Sequence, residues 1–372
     1  MANISRRALV QAAALVPLQA VRGSAQNSAI KIGIIGSGSR GSYDGSILAK
    51  EPRARIAAVC DVSEGALTRA KASYAPNAKM STDFREVLSS DVDAVLIATP
   101  VFLHPEHFEA AVKSGKHIYI EKPAGVTVAD CKRIMKAADS ADRKVNISFG
   151  FQQRYGPVYQ NAKKMIDAGG IGSIREVHAQ FLKNAFTGNE PPLPTHPTEA
   201  QKREEWKLWK ATFGDVIVET YCHNIDSMNW FMDAHPLKAA GTGGRTVEKR
   251  GDIMDHLNVT YDYPGNVQAT MIGSQMTPRF YRANNERFIG SKGVIETARE
   301  YWSYDIGKGP VTEKADHDIT IDSLQAFLQR VGDNKPENTG VRGAESTLTA
   351  ILGRMAIERH LELTWDEMMK SA

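Results

Sequence analysis

The stretch that decides the fold is Lys31-Ile-Gly-Ile-Ile-Gly-Ser-Gly-Ser-Arg-Gly41. Its apolar start is short enough for one buried strand, and Gly36, Gly38 and Gly41 then follow in the order G-x-G-x-x-G. This order predicts a tight turn from a parallel strand into a helix whose first N–H groups bind a pyrophosphate. Gly36 permits the turn, Gly38 lets the backbone approach the anion, and Gly41 allows close helix packing. Alone the pattern is a weak signal, because glycine-rich turns occur in many loops.

Further buried strands are predicted at 54–60, 94–98, 117–120 and 144–149, and helical patterns separate them. Strands that alternate with helices at this spacing indicate right-handed crossovers and a parallel sheet. We therefore expect an α/β fold whose residues 29–150 form a Rossmann dinucleotide-binding domain. In such sheets ligands bind beyond the carboxyl ends of the strands.

Asp61 follows the second predicted strand, 25 positions after Gly36. An acidic side chain at this strand end accepts hydrogen bonds from the adenosine ribose and repels a 2′-phosphate, which favours NAD over NADP. Arg40, inside the glycine loop, is an alternative partner for a 2′-phosphate, so NADP stays open. The other reading of Asp61 is a simple N-cap of the next helix, which we expect from Glu64 to Tyr74.

The most informative tripeptide is Glu121-Lys122-Pro123, directly after a predicted strand. The sheet and the proline ring hold the backbone there, so the Lys122 ammonium can point into the cleft. Beside a nicotinamide it would hydrogen-bond a reacting hydroxyl and help to remove or return its proton. A single lysine is more often a solvated surface residue.

A second chemical centre is predicted after Gly214-Asp215, in a helical stretch from Val216 to Trp230. Glu219 and His223 are four positions apart and Asp226 is three further on, which puts all three on one helical face. A histidine flanked by carboxylates can be oriented and tuned as an acid or base. The alternative is a histidine satisfied within the core.

Residues 151–372 are predicted to form a C-terminal α+β domain with a large open, mostly antiparallel sheet. Segments 257–263 and 267–272 are joined by Pro264-Gly265-Asn266, which is a hairpin signal, and 287–290 with 293–296 add a second hairpin.

Four motifs occur together in one order: Gly36-x-Gly-x-x-Gly41, Ala98-Thr-Pro100 with His104, Gly115-Lys-His117 and Glu121-Lys-Pro123. With these motifs the chain resembles the glucose–fructose oxidoreductase/inositol dehydrogenase (Gfo/Idh/MocA) family, from about Ile30 to the C-terminus. The resemblance implies an NAD(P)-dependent oxidoreductase that assembles as a homodimer or homotetramer through the C-terminal sheet. Val101 stands where the family commonly has Asn.

The family carries Asp-x-x-x-His in the second centre, with the histidine as catalytic acid/base. His223 matches, whereas Glu219 replaces the usual Asp and Tyr221 replaces the usual Gly. The catalytic residues expected on this basis are Lys122, His223 and Glu219. The cofactor-binding residues expected are Gly36, Ser37, Gly38, Ser39, Arg40, Gly41, Asp61, Thr99, Pro100, His104, Glu121, Lys122 and Gln152. The substrate contacts expected are Arg154, Tyr155, Tyr221 and Asp226. No metal site is expected.

The first 25 residues differ in character from the rest. Arg6-Arg7 precedes a weakly hydrophobic stretch to Val21 and then Gly23-Ser24-Ala25, the order of a twin-arginine signal peptide whose cargo is exported folded. We therefore expect cleavage near residue 25 and a periplasmic protein. The alternative, an amphipathic N-terminal helix, is disfavoured by Pro17 and by the lack of any acidic residue before Asp44.

Composition excludes several classes of protein. Removing residues 1–25 deletes three arginines and no acidic residue, so the net charge falls from +3 to 0 and nothing indicates a nucleic-acid partner. No apolar run has transmembrane length. The three cysteines, Cys60, Cys131 and Cys222, lack metal-ligand spacing and are predicted to be small buried residues.

The sequence thus predicts hydride transfer between a secondary hydroxyl of a sugar, sugar derivative or cyclitol and a tightly bound NAD, or NADP. Tight binding is expected because an exported compartment offers no obvious pool of free cofactor. The rival is a redox-neutral glycosidase or lyase that oxidises a sugar carbon transiently. A third reading, a sensing protein without chemistry, predicts a site without an acid/base pair, which Lys122 and His223 disfavour.

Overall fold

The computed structural model describes residues 29–194 and 196–371. The predicted signal peptide, residues 1–25, lies outside these described residues. The N-terminal domain is built on a six-stranded sheet with the order β3-β2-β1-β4-β5-β6. Its paired strands are parallel, as the sequence predicts. Its strands are β1 (Ile30–Ile35), β2 (Ala54–Cys60), β3 (Lys79–Ser81), β4 (Ala94–Ile97), β5 (His117–Ile120) and β6 (Ile147–Phe149).

Helices connect these strands. They are α1 (Ser39–Leu48), α2 (Glu64–Ser73), α3 (Phe84–Leu88), α4 (His104–Ser114) and α5 (Val128–Ser140). Two details differ from the prediction. The short edge strand β3 was not expected, and β6 begins at Ile147 rather than at Lys144, since Val145 is held in a turn by its N–H bond to the Asp142 carbonyl (2.9 Å).

The C-terminal domain contains a nine-stranded sheet with the order β14-β13-β12-β11-β7-β10-β9-β8-β15. Its strands are β7 (Ile174–Leu182), β8 (Lys238–Gly244), β9 (His256–Tyr263), β10 (Val267–Ser274), β11 (Ala283–Gly290), β12 (Val294–Ala298), β13 (Tyr301–Asp305), β14 (Val311–Lys314) and β15 (Leu363–Thr364). The central strand β7 is parallel to β10 and antiparallel to β11, so the sheet is mixed and mostly antiparallel. Both predicted hairpins, β9–β10 and β11–β12, are present.

Helices accompany this sheet in the second half of the chain. They are α6 (Pro157–Asp167), α7 (Glu199–Glu204), α8 (Lys210–Phe213), α9 (Val216–Glu219), α10 (Cys222–Met232), α11 (Ile319–Gly332), α12 (Gly340–Arg359) and α13 (Trp365–Lys370). In the described part of the chain no helix is both long enough and apolar enough to cross a membrane. The three cysteines are buried and free, as predicted.

The two sheets separate after Phe149, close to the predicted boundary at residue 150. Helix α11 nevertheless returns to the N-terminal domain, where Leu324, Phe327 and Leu328 join the buried cluster around Ile32 and Ile34. The last third of the chain therefore completes the core of the dinucleotide-binding domain.

The single helix predicted from Val216 to Trp230 is wrong, because the chain forms α9 and α10 with a break at Thr220-Tyr221. The Tyr221 N–H bonds to the Val216 carbonyl at 3.0 Å, one residue wider than an α-helical turn. The Tyr221 ring fills the space beside Gly273, where any Cβ would lie 2.0 Å from the ring. Glu219, His223 and Asp226 therefore do not share the face of one continuous helix, contrary to the prediction from the sequence.

Candidate functional site

The turn between β1 and α1 has the shape of a phosphate cradle. Gly36 has a φ of +90°, and a Cβ on Gly41 would lie 1.9 Å from the Gly36 carbonyl oxygen, so neither position accepts a side chain. The space above Gly38 is open, with no heavy atom within 4 Å of where a Cβ would be. Helix α1 begins there without a side-chain cap, which leaves its first N–H groups for an anion.

Asp61 lies at the carboxyl end of β2 beside this turn. One carboxylate oxygen accepts the Ser37 N–H at 2.8 Å and the other accepts the Ser63 N–H at 2.9 Å. These bonds fix the carboxylate next to the glycine turn, where a ribose would follow the pyrophosphate. The helix α2 is capped by Ser63 rather than by Asp61, so the simple capping alternative does not describe this aspartate.

Arg40 points away from Asp61, toward the end of β5. Its guanidinium donates to Glu121 Oε1 at 2.8 and 3.0 Å and lies 3.2 Å from Asp44 Oδ1. Burial works against the charge of Arg40, but these two carboxylates raise its pKa overall. The pKa of Asp44, which is completely buried, is raised by burial and by Glu121. The arginine therefore clamps helix α1 to the Glu121-Lys122 strand end and is not placed for a 2′-phosphate.

The neighbouring strand ends are tied together beneath the cleft by His104. This histidine is 1% exposed, and its ring nitrogens lie 2.7 Å from the Pro123 carbonyl and 2.9 Å from the Thr99 carbonyl. Both ring nitrogens thus face backbone carbonyls, and His104 packs between the loops at Thr99-Pro100 and Lys122-Pro123. Its expected contact with a cofactor stays a prediction. Gln152 is also buried and donates to Glu121 at 3.3 Å.

Lys122 extends from the end of β5 to the C-terminal domain. Its ammonium lies 3.0 Å from Glu219 Oε1 and also donates to the Glu219 carbonyl oxygen, and only 10% of the side chain is exposed. Burial alone would lower the pKa of Lys122, but the Glu219 carboxylate and its neighbours raise it. Glu219 has a lowered pKa, because the charge of Lys122 outweighs the effect of burial. The pair is therefore held as ammonium and carboxylate.

His223 is oriented by a residue that the sequence analysis missed. The Gln153 side-chain oxygen lies 3.1 Å from His223 Nδ1, and Gln153 is 1% exposed. An amide oxygen only accepts, so Nδ1 carries the proton and Nε2 keeps its lone pair. Phe151 packs its ring edge-to-face on the imidazole at 6.2 Å. The orienting group is thus an amide from the start of the second domain and not a carboxylate on the same helix.

The environments of these two groups push their pKa values in opposite directions. Burial, and then the charge of Lys122, lower the pKa of His223 well below its ordinary range, whereas the pKa of Lys122 is raised. A charged donor therefore acts electrostatically on a neutral imidazole. Such a divergence marks the groups that hold and accept protons.

The four residues expected to contact the substrate have contacts within the protein. Asp226 is completely buried, accepts two bonds from Arg154 Nε and one from Nη2 at 2.8–3.1 Å, and accepts the Ser346 hydroxyl at 2.7 Å. Tyr221 is buried and its hydroxyl accepts from Gln275 at 2.9 Å. Tyr155 packs under the Arg330 guanidinium. Asp226, Arg154 and Tyr221 thus have partners within the protein, and their contact with substrate stays a prediction.

The residues present fit a dinucleotide. Asp61 follows β2, the glycine turn follows the central strand β1, and Lys122 follows β5. The turn, with its open space above Gly38 and the uncapped start of α1, thus lies between Asp61 and Lys122 along the carboxyl edge of the sheet. Within residues 29–194 and 196–371, no group of three or more His, Cys, Asp or Glu side chains is arranged to hold a metal ion.

Comparison with known families agrees with this geometry. Residues 30–149 match the family described as "Oxidoreductase family, NAD-binding Rossmann fold", and residues 159–296 match the "GFO/IDH/MocA C-terminal domain". The two matches together span more than half of the chain, and the family predicted from the sequence motifs is confirmed.

Individual relatives are more distant. An inositol 2-dehydrogenase of Salmonella typhimurium is 31% identical over 206 residues, which are 55% of this chain and 55% of that protein. A D-xylose 1-dehydrogenase [NADP(+)] of Haloarcula marismortui is 27% identical over 60% of this chain and 58% of its own length. The chain thus spans little more than half the length of these relatives. A levoglucosan dehydrogenase solved with NADH and levoglucosan shares the fold, with a TM-score of 0.78 and 17% identity over 90% of this chain and 99% of that one.

Proposed function

Because this chain belongs to the Gfo/Idh/MocA oxidoreductase family, with its NAD-binding Rossmann fold, we propose that it is an NAD(P)-dependent oxidoreductase. It transfers hydride between a secondary hydroxyl of a sugar, sugar derivative or cyclitol and a tightly bound nicotinamide cofactor. The observation that carries this proposal is the buried Lys122–Glu219 pair at the carboxyl end of β5, whose ammonium charge also acts on His223.

When bound, the nicotinamide supplies the hydride acceptor or donor. The chain's own residues bind the hydroxyl group and transfer its proton. The Lys122 ammonium, fixed by Glu219, donates a hydrogen bond to the hydroxyl oxygen as charge develops on it. His223 Nε2 takes the hydroxyl proton during oxidation and returns it during reduction, because Nδ1 is already committed to Gln153.

NAD is the proposed cofactor rather than NADP. The support is local: Asp61 keeps a carboxylate where the ribose hydroxyls would lie, and Arg40 is held by Glu121 and Asp44. A 2′-phosphate at this position would meet a negative charge without a compensating arginine.

Export and assembly complete the proposal. The twin-arginine pattern at residues 5–25 supports secretion of the folded protein to the periplasm with its dinucleotide inside. The outer face of the nine-stranded sheet, on which Ile272 is 43% exposed, is the surface proposed to form a homodimer or homotetramer.

The first experiment is chemical. The exported protein is purified and denatured, and any released dinucleotide is identified together with its redox state. Intact protein is then mixed with a panel of sugars and cyclitols while the nicotinamide absorbance is followed. We expect a bound dinucleotide that at least one polyol reduces. Release of sugar from a glycoside panel without net change in absorbance would favour the redox-neutral glycosidase or lyase, and absence of any dinucleotide would contradict both.

A further inference from the structure

A strongly basic cavity lies at the carboxyl end of strand β7, outside the residues assigned above. Its volume is about 720 Å³, within the range usual for small-molecule sites. Three of its lining side chains are the cations Lys183, Arg279 and Arg282, and none is acidic. Asn184 and Thr187 add polar groups to the same wall.

Strand ends give this wall a defined geometry. Lys183 directly follows β7, the strand between β10 and β11. The Lys183 N–H donates to the Ser274 carbonyl at 2.9 Å, and the Lys183 carbonyl accepts the Thr277 N–H at 3.2 Å. The Asn184 amide donates to the Thr277 carbonyl at 2.6 Å. Lys183 is therefore fixed by two neighbouring segments of the sheet.

The cavity adjoins the Lys122–His223 centre. Phe181, two residues before Lys183, packs on the Tyr221 ring at 5.4 Å, and Tyr221 lies in the chain between Glu219 and His223. The charges also interact: burial lowers the pKa of Lys183, while Glu219 raises it and Lys122 lowers it further. Lys183 therefore lies close enough to Lys122 and Glu219 for their charges to interact.

The three cations have no acidic partner within the part of the chain that the structure describes. Glu219, the nearest carboxylate that acts on Lys183, is committed to Lys122. A second basic pocket, around Tyr155, differs in this respect, because Glu337 neutralises Arg330 at 2.8 Å and Arg342 at 2.6 Å. Unneutralised like charges around a cavity attract an anion.

We propose that the substrate carries an anionic group, a carboxylate or a phosphate, that Lys183, Arg279 and Arg282 bind while a secondary hydroxyl of the same sugar reaches Lys122. This inference rests on the proposed oxidoreductase function and narrows its substrate class from neutral polyols to acidic sugars. Guanidinium groups suit both anions, because their parallel N–H donors match two oxygens at once.

The test uses the dinucleotide-loaded protein and matched sets of ligands: a hexose, its uronate and its 6-phosphate. Calorimetry measures binding, and nicotinamide absorbance measures kcat/KM. We expect one anionic member to bind at least about tenfold more tightly than the hexose, which is the effect of one charge-assisted hydrogen bond. Tighter binding of the uronate identifies the anionic group as a carboxylate, and tighter binding of the 6-phosphate identifies it as a phosphate.

Variants locate the effect. Arg282→Gln and Arg279→Gln should each weaken the anionic ligand about tenfold or more and leave the hexose unchanged. The control is Arg143→Gln, which removes an exposed arginine from the turn after α5 and should change neither. Raised salt should weaken only the anionic ligand.

Equal binding of the hexose and both anions, or equal losses for neutral and anionic ligands in Arg282→Gln, would overturn the inference. The proposed oxidoreductase function has a different contradicting result: sugars of every class bind but leave the nicotinamide absorbance unchanged. Calorimetry still decides the charge preference in that case.

Discussion

Replacing Glu286 by glutamine should remove a pH-dependent loss of stability from the second domain. Glu286 lies in strand β11 and is completely buried. Its carboxyl group accepts from Asn224 at 2.7 Å, from the Thr297 hydroxyl at 2.8 Å and from the Tyr159 hydroxyl at 3.3 Å. Burial outweighs these bonds and raises the pKa of Glu286 from 4.5 to about 8. Asn224 directly follows His223, so this carboxyl also supports the helix that carries the imidazole.

The magnitude follows from linkage. The folded protein keeps the Glu286 proton up to about pH 8, whereas the unfolded chain loses it near 4.5, so stability falls as the pH rises through this window. At about 1.4 kcal/mol per pH unit the whole window amounts to about 5 kcal/mol. Between about pH 6 and about pH 8 the free energy of unfolding should fall by about 2–3 kcal/mol, or roughly 3–4 °C in Tm for a chain of this length.

The assay compares thermal unfolding of wild type and Glu286→Gln at both pH values. Gln keeps the size of the side chain and stays neutral at both pH values. The fall in Tm between the two pH values should therefore be smaller in the variant than in the wild type, and the difference should equal the Tm shift given above. Thr349→Ser, a mild change at another buried hydroxyl, serves as the control and should follow the wild type. A Glu286→Gln variant whose Tm falls with pH as steeply as that of the wild type would refute the reasoning.

Three further predictions concern the cleft. Arg40→Met leaves Glu121 without its cation and should lower the free energy of unfolding, measured in urea, by about 2–3 kcal/mol. The loss is smaller than for a fully buried pair, because 34% of the arginine side chain is exposed. An unchanged urea midpoint would contradict the role of Arg40 as a clamp between α1 and Glu121. Glu219→Gln removes the carboxylate that raises the pKa of Lys122, so the alkaline limb of the kcat/KM profile should move to lower pH, and a profile that stays in place would exclude this pairing. Asp61→Ser should reduce the preference for NAD over NADP by about tenfold, which is the effect of losing one charged contact to the ribose. Titration of the apoprotein with each dinucleotide measures this preference. An unchanged preference would argue against the ribose contact.

The parts of the site that depend on local pattern were predictable. The glycine turn, Asp61 and Glu121-Lys122-Pro123 all follow directly on apolar strands, and the carboxyl ends of parallel strands meet at one edge. His223 and Glu219 stood out by their spacing, and the family motif then indicated a catalytic role for them. For these elements the order of residues along the chain determines where they lie in the fold.

The partners of these residues were not predictable, because they come from distant positions. Arg40 is 81 residues from Glu121, and Gln153 is 70 residues from His223. The local helical pattern from Val216 onward also misled, because the break at Tyr221 depends on the room beside Gly273, on another strand. Strand β7, which brings Lys183 to the cleft, pairs in parallel with β10, and no hairpin signal marks such a pair.

The central claim is that Lys122 serves the chemistry and not the binding of the dinucleotide. The most direct measurement is a single-turnover reduction of the bound nicotinamide by a saturating sugar in Lys122→Ala. The control is Lys144→Ala, which changes an exposed lysine in the turn before β6. We predict that both variants release as much dinucleotide on denaturation as the wild type. Reduction should be lost in Lys122→Ala and unchanged in Lys144→Ala. Reduction at the wild-type rate in Lys122→Ala would contradict the claim.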